Sequence, residues 1–461
     1  MVALSKLINN GLLLAGQLIY GDLASPQQAS AEQYNILHFL GGSAPYVQHP
    51  GFGITTDIPN QCTLEQVHLI SRHGERYPSK GMGKQLEALM AKFKEYNETY
   101  TGELTFLNDY TYFVSDKAYY EKETTPWNSD GTYAGVSTAT RHGMAFRSKY
   151  KSLFNASDEN LLVFTSNSGR CHVTAENFAR GFMGTEYSDS SVDFYVITED
   201  DDMGANSLTP RSGCTAFDED QNDDIVKQYN TTYLKTARER LLKGNENLNL
   251  TTSDVLMLFS WCAYEINVRG KSPFCSLFSN EEFIKYSYSV DLSNYYAHGP
   301  GNNLSATIVA PYLNATLQFL KEEEPLFKVL LAFTHDTDIE ILHAGLGLLE
   351  PESPLPTDHI PFPNPYVHSQ IVPQGARLVT EKYSCNGESY VRYIVNDAVY
   401  PIKSCQSGPG FSCKLSDFES YINSRIEGKD YQSQCKTKYT GDVTFLWDYK
   451  TANYTAADID S

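Results

Sequence analysis

A chain of 461 residues and 51.7 kDa has room for one elaborated domain or for two to three ordinary ones. With 41% hydrophobic, 13% aromatic and 20% charged residues it has the composition of a folded globular protein, which excludes a disordered or fibrous chain. The 36 basic and 56 acidic residues leave a net charge of −20, which repels polyphosphate backbones and speaks against nucleic acid as a partner; an anionic substrate would require basic residues gathered into one pocket.

Residues 1–30 read either as a weak signal peptide or as an extended N-terminal arm. Lys6 precedes the apolar Leu12, Leu13, Leu14, Leu18 and Ile19, but Gly16 and Gln17 interrupt the run and no small-residue cleavage site follows closely. No stretch approaches the roughly 18 apolar residues of a membrane span, and the polar end from Thr455 to Ser461 has no anchor-attachment tail. A soluble protein is expected.

Three places then share one local grammar. Val67-His68-Leu69-Ile70-Ser71 is a short apolar run followed by a polar turn and by the segment Gln85 to Tyr96, where Leu86, Leu89, Met90 and Phe93 recur at the spacing of one buried helix face. Leu161 to Thr165 leads through Ser166-Asn167-Ser168-Gly169-Arg170 into a helical segment carrying Val173, Phe178 and Phe182. Val329 to Phe333 leads through Thr334-His335-Asp336-Thr337 into Ile339, Leu342 and Leu346. Continuous apolar runs of this length suit strands buried on both faces. The fold expected is α/β: a three-layer core with a mainly parallel central sheet over 31–175 and 326–461, and a smaller, mostly helical cap over 176–325 that also draws helices from about 80–150. Thr232 to Leu242 reads as a helix within the cap, Pro351 to Pro373 as an extended loop, and Tyr390 to Val395 and Val443 to Trp447 as strands.

Ligands of open α/β sheets bind outside the carboxyl ends of the strands. The three units place Arg72, His73 and Arg76, then Arg170, then His335 and Asp336 at those ends. Three arginines and two histidines converging there make an anion site that a phosphoryl group fits. In Arg72-His73-Gly74-Glu75-Arg76-Tyr77-Pro78, Gly74 lets the backbone bring His73 close to a substrate and Pro78 stiffens the loop exit. Arg141-His142-Gly143 spells a similar tripeptide, but it has no arginine two residues beyond the glycine and sits in the helical pattern Val136 to Tyr150, so it reads as structural.

The R-H-G-x-R-x-P pattern with a distant His-Asp pair resembles the histidine acid phosphatases, the branch of the histidine phosphatases that includes secreted yeast acid phosphatases and fungal phytases. Phe39-Leu40-Gly41-Gly42-Ser43-Ala44-Pro45-Tyr46 and Phe333-Thr334-His335-Asp336-Thr337-Asp338 resemble the yeast members as well, so the likeness runs from about residue 35 to about 450. It implies a secreted, cofactor-free and metal-independent phosphomonoesterase acting through a phosphohistidine, either a phytase or an acid phosphatase of broad specificity, with a small phosphorylated substrate and room for a homo-oligomer. In that reading His73 is the nucleophile, Asp336 protonates the leaving alcohol, and Arg72, Arg76, Arg170 and His335 hold phosphoryl oxygens, each charge-assisted bond contributing about 1.5 to 3 kcal/mol. Cationic neighbours favour a neutral His73, and Asp336 has to start protonated, so activity should be acidic and decline as Asp336 ionises. His172 reads as a helix-packing residue, and Glu75 as a pocket-shaping residue or the partner of an arginine.

Nine cysteines without a C-x-x-C pair point away from structural zinc and toward an oxidising compartment with about four disulfides. Spacing leaves the pairing open, since eight cysteines allow 105 connectivities. The family resemblance implies Cys62–Cys385, Cys214–Cys435, Cys262–Cys275 and Cys405–Cys413, with Cys171 as the free thiol. Sequons at Asn97, Asn155, Asn230, Asn249, Asn303, Asn314 and Asn453 accord with an extracellular or cell-wall glycoprotein.

Overall fold

Strands β1 (Cys62–Arg72), β2 (Leu161–Ser166), β3 (Val192–Ile197) and β4 (Val329–Thr334) run parallel in the order β3-β2-β4-β1. Beyond β1, strands β5 (Arg377–Cys385), β6 (Glu388–Val395), β7 (Ala398–Val399) and β8 (Cys413–Lys414) continue the sheet antiparallel, so it is mixed. This computed structural model describes residues 35–364, 366–451, 454 and 459; the segment 1–30 and the sequon at Asn453 lie outside the described residues.

The apolar runs are continuous because both sheet faces are covered. Side chains alternate along a strand. Val67 and Leu69, Leu161 and Val163, and Val329, Leu331 and Phe333 therefore pack into one layer with Phe146, Phe178 and Phe182. Ile70, Leu162, Phe164, Leu330 and Ala332 pack into the other.

The longer helices in chain order are α1 (Lys80–Glu95), α2 (Gly135–Tyr150), α3 (Gly169–Met183), α4 (Thr232–Leu241), α5 (Thr252–Arg269), α6 (Asn280–Ala297), α7 (Ser305–Lys321), α8 (Asp336–Leu346) and α9 (Leu415–Ile426). Helices α2 and α3 cover one sheet face. On the other, Tyr312, Leu313, Thr316 and Leu320 of α7 meet His68, Ile70 and Tyr393, with Leu342 and Leu346 of α8 and Phe418 of α9 beside them. The cap is built around aromatic side chains: Phe93 of α1, Trp261 of α5 and Phe274 lie 4.6 to 6.3 Å apart between ring centroids.

Three sequence expectations meet a different structure. Val192–Ile197, inside the stretch assigned to the cap, is an edge strand of the sheet; one paired neighbour suffices for it, and the polar residues on both sides masked its pattern. Helix α7, from the same stretch, covers the sheet. The segment Val443 to Trp447, read as a strand, carries a single helical turn, Phe445–Asp448. Asn206 accepts hydrogen bonds from the backbone of Thr444 and Phe445 at 2.8 and 3.0 Å, and Phe445 packs on Phe164 at 5.1 Å, so tertiary contacts override the local β preference.

The structure joins Cys62 to Cys385, Cys214 to Cys435, Cys262 to Cys275 and Cys405 to Cys413, and leaves Cys171 free and buried. The first bridge joins residues paired in register across β1 and β5. Asn97, Asn155, Asn230, Asn249, Asn303 and Asn314 are all exposed. No described helix is long and apolar enough to cross a membrane.

Arg141-His142-Gly143 lies in α2. His142 packs edge-on against Phe178 at 4.8 Å, and Gly143 and Gly181 allow α2 and α3 to touch backbone to backbone: a Cβ at either would fall 2.0 Å from a carbonyl oxygen of the other helix. Gly143→Ala is expected to cost about 1 to 3 kcal/mol of stability in chemical denaturation, while His142→Ala is expected to leave the activity of the strand-end site unchanged.

Candidate active site

The carboxyl ends of the parallel strands are level, with Arg72 opposite Thr334, Thr165 opposite Phe333 and Ser166 opposite Ile197. Every site residue singled out in the sequence therefore emerges on the same rim. His73 is fixed from both sides: its N–H donates to Thr334 O at 3.1 Å, and its carbonyl accepts from Gly375 N–H at 2.8 Å. Its Nδ1 lies 2.8 Å from Gly74 O. A carbonyl oxygen only accepts, so Nδ1 carries the proton and the lone pair of the neutral ring is on Nε2. Burial, then Arg72, Arg170, Arg76 and His335, hold the His73 pKa well below the usual histidine value.

Gly74 serves a contact within the fold. A Cβ there would stand 3.0 Å from Gly135 O and 3.1 Å from Glu123 Oε1, so the missing side chain lets the motif loop pack on the start of α2. Gly74 N–H donates to Glu123 Oε1 at 2.8 Å, and Thr174 of α3 also donates to that oxygen. Burial raises Glu123 well above the carboxylate range, despite the Gly74 hydrogen bond. Glu75 is likewise buried and shapes the loop, accepting from Tyr46 N–H at 3.1 Å.

Arg72 is 1% exposed. It donates through Nη1 to Gly42 O and Val372 O, both at 2.5 Å, and pairs through Nη2 with Asp336 Oδ2 at 2.7 Å. Arg76 donates to Tyr77 O at 2.8 Å and lies over the Tyr264 ring at 5.8 Å, which brings the cap to the site. The Nε atoms of Arg72, Arg76 and Arg170 are buried without a hydrogen-bond partner among the described residues. Unpaired buried donors are costly, and three guanidinium groups from two chain segments carry them at one rim, a donor set suited to phosphoryl oxygens.

His335 precedes α8 and Asp336 opens it, with Asp336 Oδ1 accepting from Thr337 N–H at 3.0 Å. The Asp336 side chain is 35% exposed. Burial alone would raise its pKa, but the cationic groups around it, Arg72 foremost, outweigh it and hold the carboxyl well below the usual value. This corrects the expectation that Asp336 stands protonated before substrate arrives: in the free site it is the carboxylate partner of Arg72.

Glu199 was not singled out in the sequence. It follows β3 and contacts His335 Nε2 through Oε1 at 2.6 Å; the same strand-end rule finds it once β3 is recognised. Arg170 Nη2 lies 3.1 Å from Nδ1 of the same ring. Cys171 Sγ donates to Thr334 O at 3.3 Å and touches the His335 ring at 3.7 and 3.9 Å. Burial opposes charge on His335, but Cys171 and Glu199 push its pKa up to about 10. Glu199 is correspondingly drawn down to about 2, burial opposing and His335 prevailing. Outside this rim a cleft of about 580 Å³ is lined by Glu121, Lys122, Glu123, Arg170, His172 and Glu199 among others. His172 both packs on Phe194, at 5.3 Å, and borders the cleft.

A buried imidazole with one free nitrogen, ringed by arginines and facing a carboxyl group, is the site of a phosphoryl-transfer enzyme, and sequence comparison specifies which. The family model of the histidine phosphatase superfamily, branch 2, matches residues 63–396. The chain is 60% identical over 459 residues to Phytase PHO112 of Candida albicans, covering 99% of each, and 40% identical over 462 residues to Acid phosphatase PHO12 of Saccharomyces cerevisiae, covering 98% of each. The crystal structure of the phytase from D. castellii superposes with a TM-score of 0.92 at 57% identity, covering 96% of each chain. The chain belongs to branch 2 of the histidine phosphatase superfamily and is a phosphomonoester hydrolase that takes a small phosphorylated substrate.

Because Asp336 is ionised in the free site, the proton for the leaving group has to arrive with substrate. A phosphomonoester keeps one proton below its second pKa of about 6. The alkaline limb of kcat/KM is therefore expected to move with that pKa across a series of aryl phosphates of differing acidity. A limb at one pH for all substrates would assign it to a protein group instead.

Proposed function

We propose that this protein is a secreted acid phosphatase that removes phosphate from phytate through a phosphohistidine at His73. The observation that carries the chemistry is the Nδ1 to Gly74 O contact, which leaves Nε2 as the free nucleophilic atom. In the first half-reaction the Nε2 lone pair attacks phosphorus, the bond to the ester oxygen breaks, and Asp336, protonated as the substrate enters, gives that proton to the departing alkoxide. The ring becomes cationic, and Gly74 O strengthens its hold on the Nδ1 proton. In the second half-reaction water attacks phosphorus, its proton passes to the Asp336 carboxylate, and the phosphorus–nitrogen bond breaks to release phosphate and neutral His73. Arg72, Arg76, Arg170 and His335 hold the equatorial oxygens throughout, which is where most of the stabilisation in phosphoryl transfer lies.

Phytate as substrate is supported by the likeness to the Candida albicans and D. castellii phytases. Secretion is supported by four disulfides and six exposed sequons. One observation favours broad specificity instead: the outer cleft sets Glu121, Glu123 and Glu199 beside Lys122 and Arg170, a mixed lining rather than a uniformly cationic one. The ratio of kcat/KM for phytate to that for a simple aryl phosphate decides between them; a ratio well above one is expected, and a ratio near or below one would establish the broad reading.

Acid-quench trapping with a labelled monoester is expected to yield a phosphohistidine in the parent enzyme and none in His73→Ala. An adduct that survives the substitution would displace His73 as nucleophile. Since cations lower the His73 pKa, Arg76→Gln is expected to shift the acid limb of kcat/KM to higher pH, in addition to weakening substrate binding.

A further inference from the structure

We infer that Glu199 is a positioning residue for the hydrolysis: it fixes the His335 ring through Nε2, so that the Nδ1 edge is presented, beside Arg170, to a phosphoryl oxygen. The inference rests on His335 as a phosphate-holding residue.

The geometry constrains the ring closely. His335 is 4% exposed and its Nε2 is engaged by Glu199 at 2.6 Å, which leaves Nδ1 as its remaining polar atom. Nδ1 and Arg170 Nη2 are 3.1 Å apart. While Nδ1 is unprotonated it accepts from Arg170 Nη2; once Nδ1 is protonated, two N–H donors at that distance repel unless an acceptor oxygen takes both hydrogens. Such a pair of donors aimed at one point is what an anionic oxygen needs, and it exists only while the ring carries its second proton.

The surrounding groups show why a carboxylate is required for that. Facing the ring are Arg170 and Cys171 of α3, His73 of the motif loop, Asp336 and Asp338 of α8, and Glu199 after β3. Asp336 is engaged by Arg72 and Asp338 by Arg211, at 2.7 and 3.5 Å. Glu199 is the carboxylate in hydrogen-bond contact with the ring, and beside Cys171 it offsets the burial that would otherwise lower the ring's pKa. Backbone anchors aim it: Glu199 N–H donates to Asn167 Oδ1 at 3.0 Å, tying the end of β3 to the turn that carries Arg170. One carboxylate thus sets the orientation of His335 and favours its charged form.

The test is inhibition by inorganic phosphate, measured from about pH 4 to 7, for the parent enzyme, Glu199→Gln, His335→Ala and the double variant. Glutamine keeps the shape and an acceptor but not the charge. Exchanging a charge-assisted for a neutral hydrogen bond is expected to weaken phosphate binding about tenfold. The ratio of the two inhibition constants should grow as pH rises, because without the carboxylate His335 loses its proton at lower pH than in the parent enzyme. Taking the ratio cancels the ionisation of phosphate itself. Glu199→Gln should add nothing on the His335→Ala background. A ratio that stays constant with pH, or an undiminished further loss in the double variant, would overturn the inference and leave Glu199 a purely structural group. If His335→Ala itself binds phosphate as well as the parent does, the assignment of His335 fails, and this inference with it. Thermal unfolding of each variant separates these outcomes from misfolding.

Discussion

A guanidinium group buried at the end of a central strand sets the terms for this structure. Arg72 has lost its water, and a buried charge is tolerated only when paired and hydrogen-bonded. Its partners come from three distant segments: Gly42 O from the N-terminal turn, Val372 O from the approach to β5, and Asp336 from the start of α8. Satisfying one side chain therefore pins together the pieces from which the cleft is made. The same charge depresses the pKa of both His73 and Asp336, the first toward a neutral nucleophile and the second toward a carboxylate.

The wider electrostatics follow one division. A net charge of −20 belongs to the chain as a whole, while the strand-end rim gathers Arg72, Arg76, Arg170 and His335. The acidic excess is compatible with an anionic substrate because the parallel sheet brings cations from separate stretches to a single crevice. Three carboxylates at the rim are tied to cations: Asp336 to Arg72, Asp338 to Arg211 and Glu199 to His335. In this way the rim retains donors for phosphate although acidic residues outnumber basic ones.

Legibility in the sequence varied with how local the signal was. The β1, β2 and β4 runs were readable because both faces are buried and nothing interrupts the apolar pattern. Their carboxyl ends led directly to His73, Arg170, His335 and Asp336. Strand β3 was harder to see, being a short edge strand in polar surroundings, and Glu199 was missed with it. The turn at Phe445–Asp448 illustrates the opposite failure: a stretch rich in strand formers became helical because Asn206 caps it and Phe164 receives Phe445.

By itself the sequence determined the α/β class, the chemical identity of the site and the acidity of the chain, since these depend on residue types at short spacing. Only the tertiary structure decided which nitrogen of His73 is free, that Asp336 begins as a carboxylate, and that Glu199 stands behind His335. The first is a contact between adjacent residues whose geometry only the fold sets, and the other two are relations between residues far apart in the chain. Tautomer and charge state are set by what lies within a few ångströms, and a linear pattern carries no distances of that kind.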